Sequence, residues 1–344
     1  MLKSAICFDD VLLIPQFSEI TTRADIDVSS NLENSVRLRV PIISSPMDTV
    51  TESTMAAALH KYGAMGIIHR YNSIEGQTEH IKKCRHLVRD DDANVGFAVG
   101  VSGDFIERAT AGVRAGANLI CIDVAHGHHA LMRYALETLR KTLGSNIHIM
   151  AGNVATLDGV NDLADWGADS IRIGIGGGSI CSTRIQTGHG LPTLQSILDC
   201  SCTDRDVKLI ADGGIRNSGD IVKALAAGAD AVMLGSLFAG TVEAPGEIVR
   251  DDNGNPAKAY RGMASKEAQV NWRGKSASEE GVATIVPFKG PAINILKSLE
   301  LGIRSGFSYS GCQNLSTLQS KSNFIKQSIS GVSESDTHIY KRSK

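Results

Sequence analysis

Seven cysteines are scattered through the 344 residues, and one of them, Cys181, stands where it could act as a nucleophile. It lies in the run GIGGGSICSTR (174–184), whose glycines free backbone N–H groups to approach an anion and which then delivers Cys181, Ser182 and Thr183. By residue type alone a cysteine is more readily a small buried hydrophobe. Behind a glycine loop and beside a phosphate site, it is where a covalent nucleophile would have to sit. Two further glycine turns, Asp212-Gly213-Gly214 and Gly235-Ser236, fit that phosphate site. Asp212 and Asp123 read either as turn and cap residues or as carboxylates that accept ribose hydroxyls. The histidines of AHGHH (His126, His128, His129) could suggest a metal, but no carboxylate joins them at ligand spacing, so polar lining is the better reading. Glu280, in SEEG, reads from its own type as a solvated residue.

These residues need a scaffold. Eight apolar runs bounded by turn residues occur at 40–45, 65–69, 95–101, 119–125, 147–153, 170–176, 208–213 and 231–236. They are continuously apolar, as strands covered on both faces should be. Segments with helical spacing alternate with them, among them 131–143, 157–166 and 218–227. Alternation calls for a parallel sheet, and eight units call for a closed (β/α)8 barrel of the TIM type. An open dinucleotide-binding sheet is disfavoured because no GxGxxG follows the first strand. In such a barrel the active site forms at the carboxyl ends of the strands. The sixth, seventh and eighth strands run straight into the three glycine turns, so a phosphorylated substrate is expected. Residues 240–290 break the repeat. Their polar stretch KEAQVNWRGKSASEEG has little periodicity and predicts a mobile flap over about 264–285, and about 330–344 reads as a polar tail. No linker or composition shift divides residues 1–344, so a single domain is expected.

Hydrophobic residues make up 42% of the chain, enough for a sizeable core. With 35 basic against 37 acidic residues, no polyelectrolyte partner such as nucleic acid is implied. The opening MLKSAICFDDVLLIP lacks the pattern of a signal peptide, and no run approaches about 18 apolar residues, so no membrane partner and a cytoplasmic location are expected. An odd number of cysteines without a CxxC pair predicts reduced thiols.

Taken together, FDDVLL (8–13), SSPMDTVTE (44–52), IDVAHGH (122–128), AGNVAT (151–156), GIGGGSICSTR (174–184), ADGGIR (211–216), MLGSLFAG (233–240), YRGM (260–263) and VPFKG (286–290) resemble the IMP dehydrogenase and GMP reductase family over nearly the whole chain. The resemblance implies that Cys181 adds to C2 of a purine nucleotide, with Thr183 and Glu280 as its catalytic partners. It implies that Ser179, Gly214, Gly235, Ser236 and Tyr260 hold the phosphate and that Asp212 binds the ribose. Met47, Gly262 and Met263 would lie against the base, and Ser45, Gly213, Ala264 and Gly281 complete the substrate set. The cofactor set it implies is Arg70, Asp123, Val124, Ala125, Ile175, Gly176, Ser305 and Ser308. The carbonyls of Gly176, Gly178 and Cys181 would bind a monovalent cation such as K+, and the assembly would be a homotetramer. One departure is plain: the family usually has proline where this loop has Gly177, which bears on the cation site.

Two reactions share the covalent adduct. In the dehydrogenase of this family, hydride leaves C2 for NAD and an Arg-Tyr pair on a long flap activates the water that hydrolyses the adduct. This chain has no Arg-Tyr pair between Met263 and Glu280, where its only arginine is Arg273. In the reductase, ammonia leaves C2 of GMP and NADPH supplies hydride. The short flap, the Asp123-Val124-Ala125 segment and the mere 25 or so residues between the second and third strands, which leave no room for regulatory domains, all resemble the reductase. SSPMDTVTE, AGNVAT and SGDIVKALAAGADAVMLGS look more like the dehydrogenase. Because a missing water activator removes a step whereas a scaffold records ancestry, the expectation is GMP reductase, with IMP dehydrogenase as the alternative.

Overall fold

A computed structural model describes residues 4–33, 36–90 and 93–335. Eight parallel strands form its centre: β1 (Ile42–Ser44), β2 (Met65–Ile68), β3 (Gly96–Val99), β4 (Leu119–Asp123), β5 (His148–Val154), β6 (Ser170–Ile173), β7 (Lys208–Asp212) and β8 (Ala231–Leu234). Each pairs with the next in sequence, and β8 returns to β1 with Leu234 opposite Ser44, so the sheet has no edge. All eight expected strands are present.

The helices packed around the barrel include α1 (Ser53–Tyr62), α2 (Ile74–Val88), α3 (Phe105–Arg114), α4 (Ala130–Leu143), α5 (Leu157–Asp165), α6 (Thr193–Cys200), α7 (Ser218–Ala226) and α8 (Ala292–Tyr309). Their starts follow capping chemistry: Ser73, Thr156 and Asn217 each accept a backbone N–H from the first turn. The barrel interior is filled rather than open. Ile43, Met65, Ile67, Ala98, Leu119, Cys121, Met150, Ile210, Ala231 and Met233 pack together there with Leu32, Val36 and Leu38 from an N-terminal hairpin (Ser30–Asn31 with Arg37–Leu38). A second, larger cluster packs the outer faces of the strands against the helices. The interior thus forms a rigid plug beneath the carboxyl ends of the strands.

Between β8 and α8 the chain leaves the repeat, as expected, but it is not irregular there. Strands β9 (Val249–Arg250), β10 (Pro256–Arg261) and β11 (Ala283–Pro287) make an antiparallel sheet with Tyr260 opposite Thr284 and Arg261 opposite Ala283. The polar stretch with little periodicity, expected to be a mobile flap, contains a helix, Lys266–Arg273. Ser265 caps it by accepting the Ala268 N–H at 3.2 Å, and Gly274 ends it at φ 71°. Beside α7 and α8, Val11–Leu13 pairs antiparallel with Phe324–Lys326. The expected tail begins with a short helix, Ile329–Glu334, and its last part, 336–344, lies outside the described residues.

Candidate active site

At the carboxyl ends of the strands lies a cavity of about 470 Å³ whose walls include Cys181, Asp212, Gly214, Ser236, Tyr260 and Glu280. The loop after β6 reaches it by close backbone packing. A Cβ on Gly213 would lie 3.1 Å from the Gly178 nitrogen, and Gly176 and Gly214 both adopt φ +79°, which favours glycine. Cys181 N–H donates to the Gly178 carbonyl at 3.1 Å, closing the turn that presents the thiol.

From the thiol runs a hydrogen-bonded chain. Cys181 Sγ donates to Thr183 Oγ1 at 3.1 Å, and Thr183 Oγ1 donates to Glu280 Oε2 at 2.9 Å. Ser278 Oγ holds the other carboxylate oxygen at 3.2 Å. Glu280 is therefore not merely a solvated flap residue. Backbone bonds bring it there: Ser182 N–H donates to the Glu280 carbonyl at 3.0 Å, Val282 N–H to the Ile180 carbonyl at 3.1 Å, and Cys181 and Gly281 form an antiparallel bridge. Gly262 and Gly281 pack backbone to backbone beside it, where a Cβ on Gly262 would lie 3.2 Å from Gly281 Cα. Such a chain can carry a proton between a group bonded at the thiol and a carboxylate.

The phosphate candidates converge. A Cβ on Gly235 would meet Met47 Sδ at 3.1 Å, Tyr260 Oη at 3.2 Å and Ser45 Oγ at 3.5 Å, so glycine here keeps the space between those three side chains open. Burial raises the Tyr260 hydroxyl pKa, with a hydrogen bond to Ser179 working the other way, so the group stays a neutral donor. The cavity wall also carries Gly213, Met263 and Ala264.

The floor holds a charge array that residue types had only half revealed. Arg172, inward-facing on β6 and 6% exposed, donates through Nη2 and Nε to Asp212 Oδ2 (2.8 and 3.1 Å) and through Nη1 to Asp123 Oδ1 (2.6 Å). Asn153 Nδ2 adds a third donor to Asp212 Oδ2 at 2.9 Å. Among the described residues none donates to Asp212 Oδ1, which leaves it open to the cavity. Burial opposes the charge of Arg172, but Cys121, Asp212 and Asp123 outweigh it and raise its pKa well above the usual value. Neither Arg172 nor Asn153 was picked out in advance. The signal was a lone arginine inside the apolar run SIRIGIG.

A second cavity of about 930 Å³ adjoins the first, sharing Arg70, Tyr71, Val124 and Arg273 with it. Arg108 and Arg261 also line it, and buried polar atoms of Arg70 (Nε) and Asn72 (Nδ2 and Oδ1) lack hydrogen-bond partners there. Arg70 Nη2 donates to the Asp123 carbonyl at 3.2 Å. The flap closes over this junction. Tyr71 stacks on Trp272 at 4.2 Å and 14°, its hydroxyl donates to the Met263 carbonyl at 2.7 Å, and Arg273 lies over Trp272 at 4.3 Å. Gln269, 5% exposed, ties the flap helix to the turn before Glu280 through Ala264, Ala277 and Ser278. These flap residues carried no signal in their spacing.

Ile175, Gly176, Asp123, Val124 and Ala125 line the first cavity. Ser305 and Ser308 do not: both lie on α8, and Ser305 borders a separate groove with Leu13 and Ser218. His128 pairs with Asp162 at 2.8 Å and His129 accepts the Leu131 N–H at 3.1 Å. Among the described residues no His, Cys, Asp or Glu cluster suits a metal ion, and no helix is long and apolar enough to cross a membrane.

With this geometry in hand, comparison with known proteins is direct. The family model described as IMP dehydrogenase / GMP reductase domain matches residues 5–338. The inosine-5'-monophosphate dehydrogenase of Borreliella burgdorferi is 38% identical over 98% of this chain and 97% of its own length. The GMP reductase of Leishmania major is 31% identical over 98% and 97%. Among solved structures, a GMP reductase variant from Trypanosoma brucei in complex with guanosine 5'-monophosphate superimposes with a TM-score of 0.92, at 30% identity and covering 98% of both chains. A thiol joined to a carboxylate through a threonine, above an arginine-bridged pair of aspartates at the mouth of a (β/α)8 barrel, thus finds its relatives among oxidoreductases: the chain belongs to the IMP dehydrogenase / GMP reductase family.

Proposed function

We propose that the protein is a GMP reductase, converting GMP to IMP and ammonia with NADPH through a covalent adduct of the purine C2 on Cys181. The observation that carries this reading is a flap that has no Arg-Tyr pair between Met263 and Glu280 to activate water; the chain from Cys181 through Thr183 to Glu280 serves either reaction of the family. Cys181 Sγ bonds to C2, Thr183 and Glu280 pass the proton that the departing amine needs, and Asp212 Oδ1 accepts the ribose hydroxyls. Ser45, Met47, Ser179, Gly213, Gly214, Gly235, Ser236 and Tyr260 seat the phosphate and base, while Gly262, Met263, Ala264 and Gly281 cover the base from the flap.

The nicotinamide cofactor would be held by Arg70, Asp123, Val124, Ala125, Ile175 and Gly176, and when bound it supplies the hydride. The adjoining cavity offers a dinucleotide the Asn72 amide, which lacks hydrogen-bond partners, and the guanidinium groups of Arg70, Arg108 and Arg261, which are ion-paired to Asp123, Asp104 and Asp48. Ser305 and Ser308, which the resemblance adds to the cofactor set, lie outside this cavity in the single chain. The monovalent cation at the Gly176, Gly178 and Cys181 carbonyls and the homotetramer rest on family resemblance, and the single catalytic domain on the lack of a linker or composition shift.

A dehydrogenase reading has its own support in the 38% identity to the Borreliella burgdorferi protein. One assay separates the two. Purified protein is given GMP with NADPH or, separately, IMP with NAD, and absorbance of the reduced cofactor is followed. Loss of NADPH in the first mixture is expected; turnover confined to the second would end the reductase reading.

A further inference from the structure

Beneath the glycine loop lies a buried hydroxyl that the chemistry above does not use. Thr193, the first residue of α6, is 4% exposed, and its Oγ1 has no hydrogen-bond partner among the described residues. It caps no helix; the cap position before it is Pro192. The hydroxyl is aimed at the loop instead. A Cβ built on Gly177 would overlap Thr193 Oγ1, and those built on Gly174 and Gly214 would lie 3.5 and 3.9 Å from it. From the other side the loop is pressed by β7, since a Cβ on Gly174 would overlap the Asp212 carbonyl oxygen. Gly177, unlike Gly174 and Gly176, does not have a left-handed φ. Its backbone would therefore accept an ordinary residue, and what excludes a side chain is the space taken by Thr193.

We propose that Gly177 and Thr193 form one steric unit that sets the height of the cysteine loop, which makes Thr193 a positioning residue for Cys181. The path is short: Gly177 precedes Gly178, whose carbonyl accepts the Cys181 N–H at 3.1 Å. Threonine is branched at Cβ and stiff at χ1, so its hydroxyl cannot easily swing aside. A proline at 177 would carry the same Cβ and meet the same hydroxyl. The inference goes beyond the choice of reaction, because both reactions need the thiol at the same place.

The test compares Gly177→Ala, Thr193→Ala and the double variant in the full chain. Three quantities are read: the rate of Cys181 alkylation by iodoacetamide, followed by peptide mass; the GMP concentration that protects the thiol; and the thermal midpoint. Gly177→Ala is expected to shift the alkylation rate and to raise the protecting GMP concentration by on the order of tenfold, the scale set by a misplaced reacting group. The midpoint should barely move. Adding Thr193→Ala should restore both loop readouts to within about twofold, the non-additivity expected of touching residues. A Gly177→Ala protein like the wild type, or a double variant no better than Gly177→Ala, overturns the proposal. Alkylation of the unliganded protein needs no nucleotide. Failure of GMP to protect the wild type would therefore count against the proposed function, while the unliganded rates still decide the pair.

Discussion

At the scale of single residues, the site separates groups that react from groups that hold them. Cys181→Ala is expected to abolish turnover while purine nucleotide binding remains detectable by calorimetry, because the walls around Asp212 and Tyr260 are untouched; an active variant would remove the covalent step. Thr183→Val and Glu280→Gln break the proton chain at successive links and should each lower kcat by about 10²-fold or more with KM little changed. Measured together, the double variant should be little worse than either single one, since the two act as a unit. Arg172 behaves differently. Arg172→Lys keeps the charge but loses the fork that spans Asp123 and Asp212. Its expected signature is a nucleotide KM raised by roughly tenfold or more, with a smaller loss in kcat. Arg172→Ala, which removes the cation shared by two partly buried carboxylates, should also lower stability by urea unfolding.

At the scale of elements, the barrel floor and the flap make opposite demands. Near the amino ends of the strands, burial holds His148 on β5 down at about 4, and its Nε2 shares a hydrogen bond with Ser170 Oγ at 2.8 Å. A depressed histidine means that the unfolded chain binds the extra proton first, so stability is full above about 6.5 and lost as pH falls toward 4. Burial raises Asp230 to about 6, with the opposite sign: its contribution is full below the ordinary carboxylate range and is lost as pH rises through 6. The two partly cancel between pH 4 and 6. His148→Gln should unmask the aspartate, gaining up to about 3 kcal/mol relative to wild type near pH 4 and nothing above pH 7, by urea unfolding at each pH. The flap depends on side-chain stacking instead. Trp272→Ala removes the stack on Tyr71, worth about 0.5–1.5 kcal/mol. It should lower kcat by less than about tenfold and expose residues 274–278 to limited proteolysis, with the thermal midpoint unchanged. The same contrast explains what could be read in advance. The barrel strands announce themselves by continuous apolar runs, which need no knowledge of their neighbours. The flap helix, KEAQVNWR, is polar and held by Ser265, Gln269 and a ring on another loop, so its order is created by tertiary contacts that no local pattern records.

At the scale of the whole molecule, the barrel rule places Cys181, Asp212 and Ser236 at one mouth from the sequence alone, because closure of eight parallel strands fixes where every loop after a strand must go. What the rule could not supply was the partner of each residue. Arg172 looks like one more strand residue until Asp123 and Asp212 are seen on either side, and Glu280 looks solvated until Thr183 is found 2.9 Å away. That last contact joins positions 97 apart in the chain, and β8 must also return to β1 before the flap has a surface to rest on. Such a junction is a late event in time as well as a close one in space, since long-range contacts repay the entropy of loop closure only after the intervening chain is ordered. During refolding from urea, far-ultraviolet ellipticity should therefore recover ahead of catalytic activity; simultaneous recovery would refute this order. A chain caught between those two moments would carry a thiol with no proton partner, so the enzyme acquires its chemistry only as its last piece of architecture falls into place.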